Sequence, residues 1–505
     1  MSDNSSPTSV TARLVLLATI LGSSMAFLDG TVVNLALPAL QQTFRTNMSG
    51  VQWVVEAYAL TLASLLLVGG SMGDRYGRKK IYVYGILLFA ISSIACGLAA
   101  NIPWLIGARA IQGIGAALLV PGSLALITAT FPESERGRAI GTWSGFSAVT
   151  AALGPVAGGW LIQHFSWRWV FFLNIPFALA VLALCVKIPE ARNEDATGSL
   201  DWLGALLTTV GLGSITYALI EWPSGASHLL LGVIAVLGAI ALASLGYLEE
   251  HTPAPMLPFA LFQSRNFAGS NLLTFFVYAP LGALLFFTPL DLIQIQHYST
   301  TQAGAAFSPF IVTMLLLSRW AGRLVERLGS RLPLTVGPLL TSVGFAMFAL
   351  ARQDGHYWSS FLPAVLVMSL GMTVTVAPLT TTVMNAVPKS NAGVASGINN
   401  AVSRLASLLA VAAFGALLVT VFVHVLHDQL ASLSLPSEML AEIQANHLQL
   451  AAMKVPDDRA MKAIAQSFVQ AYRTVLWVAS GSLLLASCFG WLVVTPGKSE
   501  ARPGE

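Results

Sequence analysis

The sequence Gly-Ser-Met-Gly-Asp-Arg-Tyr-Gly-Arg-Lys occupies residues 70–79, and a degenerate copy, Gly-Arg-Leu-Val-Glu-Arg-Leu-Gly-Ser-Arg, occupies residues 322–331. In the two copies a glycine, an acidic residue, an arginine, a second glycine and a basic residue align at one constant offset. Each copy directly follows a long apolar run that is the second of six in its half of the chain. The repeat therefore predicts two related six-helix bundles within one chain.

The composition predicts a membrane protein. Of the 505 residues, 55% are hydrophobic and 10% are charged, whereas soluble domains have about 25% charged residues. Apolar runs of about 20 residues, the length that crosses a bilayer as a helix, occur repeatedly. They do not alternate apolar with polar residues, which excludes a transmembrane β-barrel. The net charge of +3 is too small to indicate a nucleic-acid partner. We expect an all-α integral membrane protein.

We place fourteen transmembrane helices along the chain, in the order six, two and six. The two bundles are predicted at residues 13–187 and 267–495, and the two inserted helices in the linker 188–266. A long outer loop is expected at residues 424–468, before the last helix, and its amphipathic pieces predict a small helical hairpin on the outer surface. The predicted spans are 13–40, 52–73, 81–101, 104–130, 138–163, 168–187, 201–221, 228–248, 267–290, 303–325, 332–351, 358–386, 393–423 and 469–495.

Lysine and arginine are concentrated in the short loops on one side of these spans, among them Arg136, Arg138 and Arg323. Because cytoplasmic loops carry an excess of basic residues, we expect this side to be cytoplasmic. Both termini then lie in the cytoplasm, since the number of spans is even and the tail carries Lys498 and Arg502.

The glycines and the acid of the 70–79 sequence have separable physical roles. Gly70 and Gly77 permit close helix packing and a tight turn, and Asp74 can bind an arginine or the positive end of a neighbouring helix. Such contacts would hold an inner gate closed; the alternative is that the charges only fix the orientation in the membrane. The residues assigned to this gating loop are Gly70, Asp74, Arg75, Gly77, Arg78, Glu326 and Arg327.

The 70–79 sequence with its second copy resembles the loop signature of the major facilitator superfamily. The resemblance implies the major facilitator fold, two six-helix bundles with a substrate site at their interface near the membrane midplane.

Asp29 lies well inside the first apolar run. A carboxylate at this depth is costly, so a functional role is the default expectation. Arg109 is the expected partner, because at about 1.5 Å per residue the two lie at a similar depth. We predict that Asp29 exchanges protons as the helices move and that Arg109 holds it charged between exchanges; the alternative is a permanent structural ion pair. Glu56, near the outer end of the second span, is either a second proton or cation site or a residue of a water-filled outer vestibule.

The fifth span contains Gly154-Pro155-Val156-Ala157-Gly158-Gly159, which combines a helix-kinking proline with glycines that permit close helix packing. Together with the Asp29 sequence and the fourteen spans, this stretch resembles the antiporter signature of the fourteen-helix drug:proton antiporters. That resemblance implies a multidrug efflux antiporter.

Polar side chains in apolar context outline a candidate substrate pathway. Asn400 and Arg404 are one helical turn apart and share a face; the alternative role for such residues is to bond neighbouring helices together. An arginine in the pathway would repel strongly cationic drugs. The candidates are Asn34, Gln112, Asn399, Asn400 and Arg404.

No stretch has the Gly-x-x-x-x-Gly-Lys-Ser/Thr pattern that binds nucleotide phosphates, and no cysteine or histidine has metal-ligand spacing. We therefore expect no ATP, no metal and no cofactor, with energy drawn from an ion gradient. The leading hypothesis is a monomeric, proton-coupled exporter of amphipathic small molecules, surrounded by lipid in a bacterial plasma membrane. The alternatives are a lipid or lipid-conjugate exporter of the same fold, and a membrane receptor or enzyme. An enzyme is disfavoured because the spans contain no nucleophile–base pair.

Overall fold

The computed structural model describes residues 9–190, 200–252, 258–351, 357–388 and 392–495, and these are predominantly helical. The tail with Lys498 and Arg502 lies outside the described residues. The helices of the N-terminal half are α1 (Ser9–Phe44), α2 (Met48–Tyr76), α3 (Arg78–Gly97), α4 (Ile102–Thr130), α5 (Glu133–His164), α6 (Trp169–Phe172) and α7 (Asn174–Cys185).

Two inserted helices and the C-terminal half follow. The inserted pair is α8 (Trp202–Glu221) and α9 (His228–His251). The two helices pack closely at Gly211 and Gly238, since a Cβ added to Gly238 would lie 2.7 Å from the carbonyl oxygen of Gly211. The C-terminal helices are α10 (Arg265–Leu290), α11 (Thr300–Ala305), α12 (Ser308–Gly322), α13 (Leu324–Leu328), α14 (Arg331–Leu350), α15 (Leu362–Asn385), α16 (Ala392–Ala431), α17 (Ser437–Asn446) and α18 (Asp458–Leu492).

Polar side chains begin several helices directly after short turns. The Oδ1 atom of Asn47 accepts a hydrogen bond from the backbone N–H of Gly50 at 2.9 Å, and that of Asn101 from Trp104 at 2.9 Å. Such side chains satisfy backbone N–H groups that have no partner within the helix. Helices α2 and α4 therefore begin at capped ends directly after short turns.

The number of spans agrees with the sequence prediction. In the described part of the chain, thirteen helices are long and apolar enough to cross a membrane, and the shorter apolar stretch Trp169–Cys185 adds a fourteenth segment. That segment corresponds to the sixth predicted span and is divided into α6 and α7.

The last two spans differ from the prediction in their length. Helix α16 continues to Ala431 and α18 begins at Asp458, so the segment between the two spans is shorter than predicted. Helix α17 lies within the segment where a helical hairpin is expected. Helices α16 and α18 continue because their extensions keep an apolar face that packs into the main hydrophobic core. The buried side chains of these extensions include Leu426, Leu430, Ala460, Ile464 and Phe468.

The two copies of the repeated loop share a backbone feature. Gly77 and Gly329 occupy equivalent positions and have φ values of +112° and +73°, a region that favours glycine over residues with a side chain. The close helix packing predicted at Gly70 occurs instead at Gly69, where an added Cβ would lie 2.1 Å from the carbonyl oxygen of Ala117; at Gly70 the nearest such atom is 3.6 Å away.

The two halves are joined at the end of the molecule opposite the 73–80 loop. We call this the far end and the loop side the near end. At the far end Gln41 accepts a hydrogen bond from Gln294 at 3.0 Å and donates one to the carbonyl oxygen of Gln449 at 2.9 Å. Gln52 donates to the carbonyl oxygen of Val411 at 2.9 Å. The structure is therefore closed at the far end.

The hydrophobic cores show the same asymmetry. One large core combines side chains from both halves at the far end, including Leu37, Val51, Phe286 and Phe422, and continues within the C-terminal half. Toward the near end the cores are separate. One contains N-terminal residues such as Val15, Tyr82 and Leu126, and another contains C-terminal residues such as Phe267, Val383 and Ile398.

The inserted helices cover a seam between the halves. Leu212 of α8 packs with Leu60 of α2 and Leu408 of α16 in one small cluster. Helix α8 therefore borders the side of the bundle interface where α2 and α16 meet.

Candidate functional site

A cavity of about 420 Å³ lies between the two halves, lined by α1, α2, α4, α10 and α16. Pockets of roughly 300–1,000 Å³ hold drug-sized molecules. Much of its wall is apolar or aromatic. The polar and charged residues of the wall are Asn34, Glu56, Tyr58, Arg109, Tyr278, Asn400, Ser403, Arg404 and Ser407.

Asp29 lies behind this wall, inside the N-terminal bundle, and is 2% exposed. It forms an ion pair with Nη1 of Arg109, which is 1% exposed. The Nε2 atom of Gln112 donates to Asp29 Oδ1 at 2.9 Å, and the Nδ2 atom of Asn174 donates to the same oxygen at 3.3 Å. The carboxylate thus accepts from three donors on two other helices, α4 and α7.

The donors around Asp29 are themselves held in place. Ser93 of α3 accepts from Asn174 at 3.0 Å and from Gln112 at 3.3 Å, and donates to the carbonyl oxygen of Phe171 at 2.8 Å. Buried polar groups in such a network keep their partners because an unpaired group would be costly. Gln112, predicted in the substrate pathway, therefore lies in the Asp29 network and not on the described cavity wall.

Arg109 connects this network to the cavity, whose wall it helps to form. Its Nε donates to the carbonyl oxygen of Val54 at 3.0 Å and its Nη1 to Gln112 Oε1 at 2.7 Å. The guanidinium group lies 4.2 Å from the centre of the Tyr58 ring, within the range of a cation–π interaction. A change in the charge of Asp29 would therefore act first on a group that faces the cavity.

Glu56 is buried, at 1% exposed, and lines the cavity. In this structure Glu56 is therefore not exposed to an outer vestibule. Its Oε2 atom has no hydrogen-bond partner among the described residues, and neither does Oδ1 of Asn34, which lines the same cavity and is 9% exposed.

The C-terminal wall carries Asn400 and Arg404 on one face of α16, as their spacing predicts. Asn399 points elsewhere. Its Nδ2 atom donates to Thr274 Oγ1 at 2.7 Å and to Asn271 Oδ1 at 3.2 Å, both on α10. Its contacts are those of the alternative role, a bond between neighbouring helices.

The glycine–proline stretch of α5 lies at the contact between the halves. A Cβ on Gly159 would lie 2.3 Å from the carbonyl oxygen of Thr300, and one on Gly304 would lie 2.1 Å from the carbonyl oxygen of Pro155. Gly158 faces α1, where a Cβ would lie 2.5 Å from Val32. Small residues therefore allow backbone contact between α5 and α11 at the far end.

The first residue of this stretch, Gly154, also faces α1, where a Cβ would lie 2.5 Å from Thr31 Oγ1. Pro155 lies inside α5 and cannot donate to the carbonyl oxygen of Ala151. The Thr31 hydroxyl lies 3.4 Å from that oxygen and closer, at 3.0 Å, to the carbonyl oxygen of Leu28.

The 70–79 loop, predicted to act as a gate, has contacts within its own half. Arg78 Nε donates to Asp74 Oδ1 at 2.8 Å. Glu190, at the end of the N-terminal half, accepts from the backbone N–H groups of Lys79 at 2.9 Å and Lys80 at 3.1 Å, at the start of α3. A carboxylate at a helix N-terminus is favourable.

Two further residues of the loop, Arg75 and Arg327, lie at the near end of their halves. The Arg75 guanidinium is 5.6 Å from the centre of the Tyr76 ring, and Arg327 is exposed. Glu326 lies in the short helix α13.

Sequence reasoning did not assign Ser93, Asn174 or Glu190 to the site. Asn174 is a polar residue within an apolar run, the same signal that identified Asp29. Ser93 carries no such signal, because serine is common in apolar helices. Glu190 lies at the start of the predicted linker 188–266, and sequence spacing says nothing about its distance from α3.

A cavity between two duplicated membrane-spanning bundles, with buried charges behind and on its wall, defines a membrane transporter. The sequence matches the model of the Major Facilitator Superfamily over residues 19–411. The chain belongs to this superfamily, whose members are transporters and not enzymes.

Similar proteins include the multidrug resistance protein Stp of Mycobacterium tuberculosis, 33% identical over 495 residues, which cover 95% of this chain and 92% of the relative. The puromycin resistance protein pur8 of Streptomyces alboniger is 36% identical over 77% of this chain and 78% of its own length. Among solved structures, a bacterial homologue of the human lysosomal transporter Spinster, in an inward-facing and unoccupied conformation, has a TM-score of 0.70. It is 18% identical and covers 97% of this chain and 98% of its own. That likeness concerns the fold.

Proposed function

We propose that this chain is a proton-coupled antiporter that exports amphipathic small molecules. The observation that carries the proposal is the buried Asp29–Arg109 pair directly behind the cavity wall. The resistance and efflux proteins among its relatives support export as the direction of transport.

The coupling follows from the position of Arg109. While Asp29 is ionised, Arg109 is held against it and its charge is compensated. Protonation of Asp29 removes that compensation and leaves a positive charge on the cavity wall, which disfavours the cationic group of a bound molecule. Proton and substrate then oppose each other's binding, which is the thermodynamic requirement for exchange.

The closed far end fits one state of the cycle. Contact between Gly159 and Thr300 seals one side, while the hydrophobic cores at the near end stay separate. We assign the near end to the cytoplasm from its basic loops, with both termini there, in a bacterial plasma membrane. In this assignment the protein works as a monomer within the lipid, without ATP.

The test uses purified protein in liposomes with an imposed pH gradient and a panel of antibiotics, with an uncoupler as control. We expect uphill drug movement that the uncoupler abolishes. Asp29→Asn removes the titrating group and should abolish the response to the gradient while leaving drug binding measurable. Asp458→Asn is the matched control, because Asp458 is exposed at the start of α18. Gradient-driven transport that persists in Asp29→Asn would contradict the coupling role.

A further inference from the structure

Two groups of opposite charge that the coupling scheme does not use line the same cavity. Glu56 projects from α2 in the N-terminal half, and Arg404 from α16 in the C-terminal half. Among the residues described as lining the cavity, Glu56 is the one acid, and the other arginine, Arg109, is paired with Asp29.

The N-terminal side of the cavity offers acceptors without donors. Glu56 Oε2 and Asn34 Oδ1 are both buried and have no hydrogen-bond partner among the described residues. An acceptor buried in this way is costly unless a ligand or a water supplies a donor. An ammonium group carries several N–H donors and the complementary charge, so it suits acceptors of this kind.

The C-terminal side offers a donor. Arg404 is half-buried beside Asn400 and Ser403. Guanidinium groups bind carboxylates and other anionic oxygens in a planar, two-bond geometry. The same wall has apolar and aromatic residues, among them Phe27, Tyr278, Leu285 and Phe286.

We infer that the cavity selects amphoteric molecules, with a cationic nitrogen against Glu56 and Asn34 and an anionic oxygen group against Arg404. The ring system of such a molecule packs on the aromatic residues of the wall. A purely cationic molecule leaves Arg404 uncompensated, and a purely anionic one leaves Glu56 uncompensated. The inference deepens the proposed function and rests on it for the assignment of this cavity as the substrate site.

The test compares three probes with one ring system at pH 7.5. Norfloxacin has a piperazinium and a carboxylate, its ethyl ester keeps the cation alone, and N-acetylnorfloxacin keeps the anion alone. Dissociation constants are measured by isothermal titration calorimetry on the full-length protein in nanodiscs. We expect norfloxacin to bind at least about tenfold more tightly than either derivative, since one charge-assisted contact corresponds to about a tenfold or larger change.

The variants separate the two contacts. Glu56→Gln should remove the preference for norfloxacin over its N-acetyl derivative and keep the preference over the ester. Arg404→Gln should do the reverse. Glu56→Asp and Arg404→Lys keep the charges and should keep both preferences in part, which guards against a loss caused by misfolding. Asp458→Asn and Lys462→Gln change exposed residues at the far end and should leave all three constants unchanged.

Three results would overturn the inference: equal binding of the three probes, binding of none, or an equal loss for all probes in both charge-removing variants. The liposome experiment is independent of these outcomes. Selective binding without gradient-driven transport would count against the export function alone, and transport without the binding pattern would count against the amphoteric site alone.

Discussion

Asp29 and Glu56 are two carboxylates on adjacent helices, both almost fully buried, with opposite surroundings. Asp29 accepts from Arg109, Gln112 and Asn174. Glu56 has an oxygen without any partner in the described structure. The hydrogen-bonding capacity of Asp29 is met by donors within the protein. The unpaired oxygen of Glu56 can gain a donor only from a molecule in the cavity.

The difference separates two functions that a buried acid can serve in a transporter. A carboxylate held by an arginine can change its protonation only together with the position of that arginine, which suits coupling. A carboxylate with no internal donor costs stability in the empty protein, and a ligand that supplies the donor recovers that cost. The role of a buried acid therefore depends on its hydrogen-bond and ion-pair partners and not on its burial alone.

The largest effect is expected from Arg109→Ala. It leaves the Asp29 charge buried without its cation, and breaking a buried pair from one side costs about 3–5 kcal/mol. We expect a strong loss of thermal stability in detergent and no gradient-driven transport. Arg109→Lys keeps a charge but not the donor to the carbonyl oxygen of Val54, so its loss should be smaller. Equal stability of wild type and Arg109→Ala would mean that Asp29 is neutral in the resting protein.

The second prediction is that replacing the two acids by apolar residues changes the stability of the protein in opposite directions. Glu56→Met replaces a carboxylate with an unpaired oxygen by an apolar side chain of similar size and should stabilise the empty protein by about 1–3 kcal/mol. Asp29→Leu should destabilise it, because Arg109 is then the uncompensated charge. Melting temperatures of both variants without ligand test the contrast. A destabilising Glu56→Met would show that Glu56 has an internal partner in solution.

Much of the fold could be predicted from the sequence. Apolar runs of membrane length fix the spans, and the repeated loop fixes the duplication, down to the positive φ of Gly77 and Gly329. The extensions of α16 and α18 could not be predicted in this way, because a helix that leaves the membrane has a mixed apolar and polar sequence like that of a loop.

The site could be predicted only for residues whose depth in the membrane determines their partner. Asp29 and Arg109 pair because both lie deep in helices that must pack together. The burial of Glu56 depends on closure at the far end, for example the bond from Gln52 to Val411, and conformational state is not encoded in hydropathy. Asn399 and Asn400 are neighbours, and only the rotation of α16 decides which one faces the cavity.

A smaller effect is expected from Asn174→Ala. It removes one of three donors to Asp29, the one with the longest bond at 3.3 Å, while Arg109 and Gln112 remain. We expect the free energy of unfolding to fall by about 1 kcal/mol and gradient-driven transport to be retained, because Arg109 and Gln112 still hold the carboxylate. Melting temperature and transport in liposomes measure the two effects. Asn399→Ala, which breaks bonds to α10 instead, is the matched control and leaves all three donors to Asp29 in place.

The smallest effect is expected from Tyr58→Phe. The hydroxyl of Tyr58 lies 3.5 Å from the carbonyl oxygen of Ala26, too long for a strong bond, while its ring supports the Arg109 guanidinium at 4.2 Å. Phenylalanine keeps the ring, so stability and coupling should stay close to wild type. Tyr58→Leu removes the ring and should lower the free energy of unfolding by up to about 2 kcal/mol, the upper range for a desolvated cation–π contact. The Arg109 side chain should then be positioned less firmly. If both variants coupled transport equally well, the hydrogen bonds to Asp29, Val54 and Gln112 would alone be sufficient to position the arginine.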